Sequence, residues 1–342
     1  MRAFSNLKAS IANYKTLDSK DKKTFWKEGF INNLMYILII IAAIYTYTQN
    51  QKFLSVSSIV NIISLSAANI PIALGIAGCI VLTGTDLSAG RVVGLTACIS
   101  ASLLQSMDYA TKMIVVVVGG IVGFVNGWFV AQFKLHPFIV TLATQLITYG
   151  VLLLYIMING NNGQPLSGLD NSFKNFVTGS LVKFFGVPIP NYVWYAIIMI
   201  AFMWFMWNKT TFGKNMFAVG SNPEAANVSG VSVFWTTIAV HTLAGCMYGI
   251  TGFIESARIG SNQANTGLNY ECDAIAACVI GGVSFVGGTG KISGIVLGVF
   301  ILRIIFVALQ FLSINQSMQY IIKGLIILVA CSIDMRKYLV RK

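Results

Sequence analysis

Apolar runs of about membrane-crossing length alternate with short polar stretches along this 342-residue chain. They lie at 31–48, 57–83, 91–107, 113–133, 138–157, 191–207, 232–253, 273–287, 292–311 and 316–333. A helix needs about 20 mostly apolar residues to cross the hydrocarbon core. The runs contain Gly and Pro and lack the alternation of barrel strands. They predict an all-α polytopic membrane protein of about ten transmembrane helices, with both ends on one side.

One polar stretch, 208–231, is too mixed to cross a membrane and too patterned for a slack linker. Ser221 or Asn222 caps a helix there, Pro223 fits its first turn, and Ser221-x-x-Glu224 fits a capping box. Ala225 and Ala226 favour helix, and Gly230 ends it. The pattern predicts a short helix outside the bilayer; an ordinary capped loop helix would look the same. Two further polar segments, 158–190 and 254–272, read as turn-rich loops or as a receiving surface for a partner.

Composition agrees. The chain is 56% hydrophobic and 10% charged, against roughly 25% charged in soluble proteins. The net charge of +12 might suggest nucleic acid were it not for its distribution. Residues 1–30 hold Arg2, Lys8, Lys15, Lys20, Lys22, Lys23 and Lys27 against Asp18, Asp21 and Glu28, and the tail adds Arg336, Lys337, Arg341 and Lys342. Basic flanks mark the cytoplasmic side, so 1–30, 208–231 and 334–342 are expected inside, with Lys134 and Lys291. The first run follows a long basic segment without a small-residue cleavage site, which predicts a retained helix rather than a signal peptide. The domain reading is therefore a basic segment 1–30, a transmembrane domain 31–333 and a tail 334–342.

Small residues recur at helical spacing. Gly90-Arg-Val-Val-Gly94 returns as Gly290-Lys-Ile-Ser-Gly294, continued at Cys98 and Gly298, and a third face carries Gly119, Gly123 and Gly127. Such faces permit close helix approach. Generic packing uses the same glycines; a duplicated transporter would also show them.

Candidate chemistry is sparse. Gly287-Gly-Thr-Gly-Lys291 resembles a phosphate loop but lacks Gly at Phe285 and Ser or Thr at Ile292. It reads as a tight turn. The six cysteines have no Cys-x-x-Cys spacing, and His136 and His241 stand apart, so neither a metal site nor a disulfide framework is expected. No paired carboxylates or nucleophile–His arrangement points to catalysis. Charges inside runs are costly and usually face protein or water: Arg303, Lys323, Asp86, Arg91 and Asp273. Asp86, Arg91 and Asp273 are candidates for a pathway mouth or gate. Snorkelling or structural pairing is the alternative, and the five-residue spacing favours an Asp86–Arg91 pair. No series of acids suggests a proton relay.

Gly84-Thr-Asp-Leu-Ser-Ala-Gly-Arg91, His136-Pro-Phe-Ile-Val-Thr-Leu142, Ala218-Val-Gly-Ser-Asn-Pro-Glu-Ala-Ala226 and Tyr270-Glu-Cys-Asp-Ala-Ile-Ala-Ala277 followed by Gly281-Gly together resemble the monosaccharide ABC-importer permeases. The galactose/methyl-galactoside members are most similar, with ribose and xylose permeases close. The resemblance covers about 55–335. It implies a non-catalytic pore subunit in the bacterial inner membrane, paired with a second copy, served by an extracytoplasmic sugar-binding protein and driven by a cytoplasmic ATPase. That partner would hold ATP and Mg, with no cofactor on this chain. It further implies that Phe217, Gly220, Asn222, Pro223, Glu224, Ala225 and Gly230 belong to the ATPase-coupling helix. Cys272 departs from the usual hydrophobic residue. The alternatives are a ribose, xylose or nucleoside permease of the same architecture, or an ion-coupled secondary transporter.

Overall fold

The computed structural model describes residues 40–103, 114–160 and 163–339. The predicted basic segment 1–30, residues 31–39, 104–107 and 113 of the apolar runs, and 340–342 lie outside the described residues. A helical stretch over 40–49 and a 3-10 turn at Gln51–Leu54 lead into α1 (Val56–Val81), where the Ser55 hydroxyl accepts the Ser58 amide at 3.3 Å. Then follow α2 (Ala89–Leu103), α3 (Ile114–Phe133), α4 (Pro137–Asn159), β1 (Leu166–Ser167), α5 (Asn171–Thr178), β2 (Ser180–Phe184), β3 (Val187–Pro190) and α6 (Asn191–Lys209). The remainder is α7 (Thr211–Ser221), α8 (Pro223–Val228), α9 (Val233–Ile259), β4 (Ser261–Asn262), α10 (Tyr270–Ile280), α11 (Ile292–Phe311) and α12 (Gln316–Leu339). Among the described residues, five helices are long and apolar enough to cross a membrane: α1, α3, α4, α9 and α11.

α1 and α9 are the inner helices. α1 is buried continuously from Ser66 to Val81, and α9 packs along α1, α2 and α3. α3 and α4 turn Val117, Ile121, Phe124, Leu146, Ile147 and Leu154 outward, as lipid-facing helices do. The α3–α9 crossing is close because both helices contribute small residues. A Cβ on Gly119 or Gly123 would collide with the Gly245 or His241 carbonyl, and one on Gly127 would lie 2.8 Å from Ile238 Cα.

The structure departs from the sequence expectation in several places. The run 273–287 is not one helix. α10 stops at Ile280 after 11 residues, about 16 Å at ~1.5 Å per residue, well short of a ~30 Å core. Gly282, Gly287 and Gly288 then take φ of 82°, 90° and 66°. That left-handed backbone suits glycine, and it turns the chain back into α11. Gly290 lies in this turn and not on α11, so only Gly294 and Gly298 share a helix face there. They abut Gly281 and Ala277 of the α10 end. Gly90 and Gly94 instead lie on α2, against Gly267 and Thr266. The supposed tail at 334 is a continuation of α12 to Leu339. The segment 208–231 holds two helices, α7 and α8, where one was expected. The polar segments 158–190 and 254–272 also carry structure: β1 pairs antiparallel with β4, joining the two, and β2 pairs with β3 in a hairpin.

Candidate functional site

At one end of the bundle three distant segments meet. The Gly288 N–H donates to the Val81 carbonyl at 2.9 Å, and a Cβ on Gly220 would collide with that same carbonyl. Gly84 packs on Pro137 at this end, where an added Cβ would lie 2.8 Å from its ring. α7 is held here by Phe217, whose ring meets Trp207 edge-on at 5.5 Å. Phe217 and Gly220 thus face inward. The chain then bends at Asn222, whose Oδ1 accepts the Ala225 amide at 3.0 Å and caps α8, with Pro223 in the first turn. This replaces the expected Ser221–Glu224 capping box: the Ser221 hydroxyl donates backward to the Phe217 carbonyl at 2.8 Å. Ser221 closes α7 and is not free to cap α8. Asn222, Pro223, Glu224 and Ala225 are exposed, and only Ala226 of α8 is buried. Gly230, at φ 82°, releases the chain toward α9. α8 is therefore a capped, outward-facing ridge carried on an inward-packed α7.

Asp86 and Arg91 are not paired with each other. Asp86 is fully buried in the α1–α2 connection. Its Oδ1 accepts the Ser88 amide at 2.9 Å and the Ser88 hydroxyl at 2.6 Å, and its Oδ2 accepts the Tyr248 hydroxyl at 3.2 Å. The Asn126 amide donates on to Ser88 Oγ at 3.0 Å, and Thr144 donates to Asn126 Oδ1 at 2.6 Å. Three helices and the α1–α2 connection thus share one hydrogen-bonded chain. Satisfied buried networks of this kind fix geometry. They hold the segment leading into α2 against α3, α4 and α9. Arg91 turns the other way, donating to the Ala264 carbonyl at 3.1 Å with its guanidinium 4.0 Å from the Tyr149 ring centroid.

Asp273 unites charges that the sequence left separate. Lys323 Nζ lies 2.5 Å from its Oδ1, and Arg303 lies 3.6 Å from its Oδ2. One acid on α10 therefore ties α12 and α11. Lys323 also sits 4.9 Å from the Phe306 ring centroid. Nearer the opposite end, Arg258 makes a forked pair with wholly buried Glu255, at 2.7 Å from NH2 to Oε2, and Tyr270 donates to the same carboxylate at 3.3 Å.

Sequence reasoning missed Ser88, Asn126, Thr144 and Tyr248 around Asp86. It also read Glu255 and Arg258 as loop residues, although they sit on the last turns of α9. The available signal was polar groups inside apolar runs, and i,i+3 spacing for Glu255 and Arg258.

A family model described as branched-chain amino acid transport system / permease component matches residues 58–331. The galactose/methyl galactoside import permease protein MglC of Escherichia coli (strain K12) is 44% identical, covering 95% of this chain and 99% of its own length. Its namesake from Haemophilus influenzae is 42% identical, covering 91% and 96%. The ribose import permease protein RbsC of H. influenzae is 33% identical, covering 89% and 93%. No solved structure matches the chain.

Proposed function

Because this chain belongs to the transport-system permease family that matches residues 58–331, we propose that it forms the translocation pathway of an ATP-binding-cassette importer for galactose or methyl galactoside. It is a non-catalytic membrane subunit. The observation that carries the sugar assignment is the 44% identity to a galactose/methyl galactoside import permease over nearly the whole of both chains. The ribose permeases stand further off at 33%.

In this reading the chain sits in the bacterial inner membrane and crosses it about ten times, α10 forming a half-crossing with the turn after it. Both termini and the α7–α8 segment are cytoplasmic, as the clustering of Lys134, Lys209, Lys214 and Lys291 at one end supports. A separate cytoplasmic ATPase binds ATP and Mg and docks on α8, through Pro223, Glu224 and Ala225. A second copy completes the pore, and an extracytoplasmic sugar-binding protein delivers the sugar to the end bearing β1 and β4. Phe217 and Gly220 carry the motion of α8 inward. Asp273, held between two cations, is the gate residue. Asp86 and Arg91 shape the pathway wall by fixing α2. A transported sugar must be bound weakly enough to leave, so no deep sugar pocket is required.

The test is uptake by the permease reconstituted with its ATPase and binding protein, using galactose, methyl galactoside, ribose and xylose as competitors. Galactose or methyl galactoside should outcompete the pentoses. Preferential ribose uptake would move the assignment to the second sugar class.

A further inference from the structure

The β2–β3 hairpin carries apolar side chains that no other described residue covers. Every residue of β2 is exposed, and Leu181 and Phe185 are each 82% exposed. Phe185 takes φ 46° and Gly186 φ 84°, a tight turn in which an aromatic residue is unusual. The Phe184 and Phe185 rings meet edge-on at 4.8 Å. A lone two-stranded ribbon is marginal in water, and exposed apolar clusters mark contact surfaces.

The hairpin's position says what covers it. β3 ends at Pro190 and α6 begins at the next residue. α6 has 19 residues, about 28 Å at ~1.5 Å per residue, close to a ~30 Å hydrocarbon core. Trp194 lies near its start, and Lys209 lies 5.8 Å from the Trp204 ring centroid near its end, as residues at the two interfaces do. α6 is not among the five helices counted above as long and apolar enough to cross, but in the proposed ten-crossing reading it is a crossing, and Pro190 then marks the edge of the hydrocarbon. The five-residue β2, whose first residue Ser180 pairs with Pro190, reaches at most about 17 Å from there. Ile197, Ile198 and Phe202 of α6, the helix that the hairpin leads into, are exposed as well. Lys183, on the same strand, has no ion-pair partner among the described residues. A long cationic side chain between apolar neighbours can reach lipid phosphate while its stem stays apolar.

We propose that the hairpin's first strand and turn, Leu181–Phe185, form a lipid anchor lying in the headgroup–acyl boundary, with Leu181 and Phe185 among acyl chains and Lys183 on lipid phosphate. It fixes the outer end of α6 at the bilayer surface. This rests on the chain being a membrane protein and not on which sugar it carries.

The experiment places the photoreactive residue p-benzoylphenylalanine at Phe185, at Leu181 and, for comparison, at Val228, which is 89% exposed on α8. Each full-length chain is assembled into nanodiscs of phosphatidylethanolamine and phosphatidylglycerol, irradiated and weighed intact. Lipid adducts should form at 185 and 181 in at least about tenfold greater yield than at 228. Both hairpin positions are exposed, so the substitutions leave the fold standing. Equal yields at the three positions would overturn the proposal. So would replacement of the lipid adduct by a cross-link to an added soluble sugar-binding protein.

Discussion

Gly288 donates its amide to the Val81 carbonyl at 2.9 Å, and the same oxygen is the atom against which Gly220 packs. The end of α1, the end of α7 and the turn between α10 and α11 therefore close on one peptide group. A Cβ at Gly288 would meet Ser221, the last residue of α7. In the proposed reading, displacement of α8 would pass through Asn222 and α7 to the connections that begin α2 and α11.

Replacing Gly220 by Leu should separate α7 from α1, because the added side chain has nowhere to go beside the Val81 carbonyl. Overpacking costs about 1–3 kcal/mol. The variant should insert in the membrane yet lose sugar-stimulated ATP hydrolysis by the reconstituted complex. Normal stimulation would show that this contact does not carry motion.

Asp273 should be essential for stability as well as for transport. Changing it to Asn leaves Lys323 and Arg303 without their shared acid. Breaking a buried pair from one side costs about 3–5 kcal/mol. Thermal unfolding in detergent should shift down clearly, and the double change Asp273→Asn with Lys323→Met should recover part of the loss. An unchanged midpoint for Asp273→Asn would mean the cluster does not hold α10 to α12.

The tight α3–α9 crossing makes a paired prediction. Gly123→Leu collides with the His241 carbonyl, whereas Gly150→Leu meets nothing within 4 Å. The first should aggregate or be degraded, and the second should behave as the parent on size-exclusion chromatography. Equal behaviour would remove the crossing from the account.

Orientation is testable with an impermeant thiol reagent on intact cells. The native cysteines are buried or half-buried, so background labelling should be low. Lys214→Cys, at an exposed position of α7, should resist the reagent, and Ser261→Cys on β4 should react. Reaction at 214 with protection at 261 would invert the topology.

The long helices α1, α3, α4, α9 and α11 were legible from hydrophobic runs, since bilayer thickness sets helix length. The run 273–287 misled because Val279, Ile280, Val283 and Phe285 keep it apolar across Gly281-Gly282. Hydropathy does not register that Gly282 has turned the backbone. α7 was missed for the opposite reason: Lys214 and Asn215 break the apolar pattern, while its buried face, Gly213, Met216, Val219 and Gly220, is made of small or unremarkable residues. The Asp86–Arg91 pairing was a spacing argument, and spacing could not show that Tyr248, 162 positions away, takes the carboxylate. Asp273, Arg303 and Lys323 were each visible as misplaced charges. Their meeting depends on how α10, α11 and α12 pack, which no local pattern encodes.

The central claim is that α8 receives the work of ATP hydrolysis, and inverting the charge of its exposed acid tests it most directly. The measurement is sugar-stimulated ATP hydrolysis by the complex reconstituted with Glu224→Lys, alongside co-purification of the ATPase. Glu224 is solvent-exposed in the first turn of α8, so expression and insertion should be unchanged. Stimulated hydrolysis should fall by about tenfold, equivalent to some 1.4 kcal/mol of docking energy, and the ATPase should be recovered in lower yield. Full stimulation together with full recovery of the ATPase would contradict the assignment of α8 as the docking ridge.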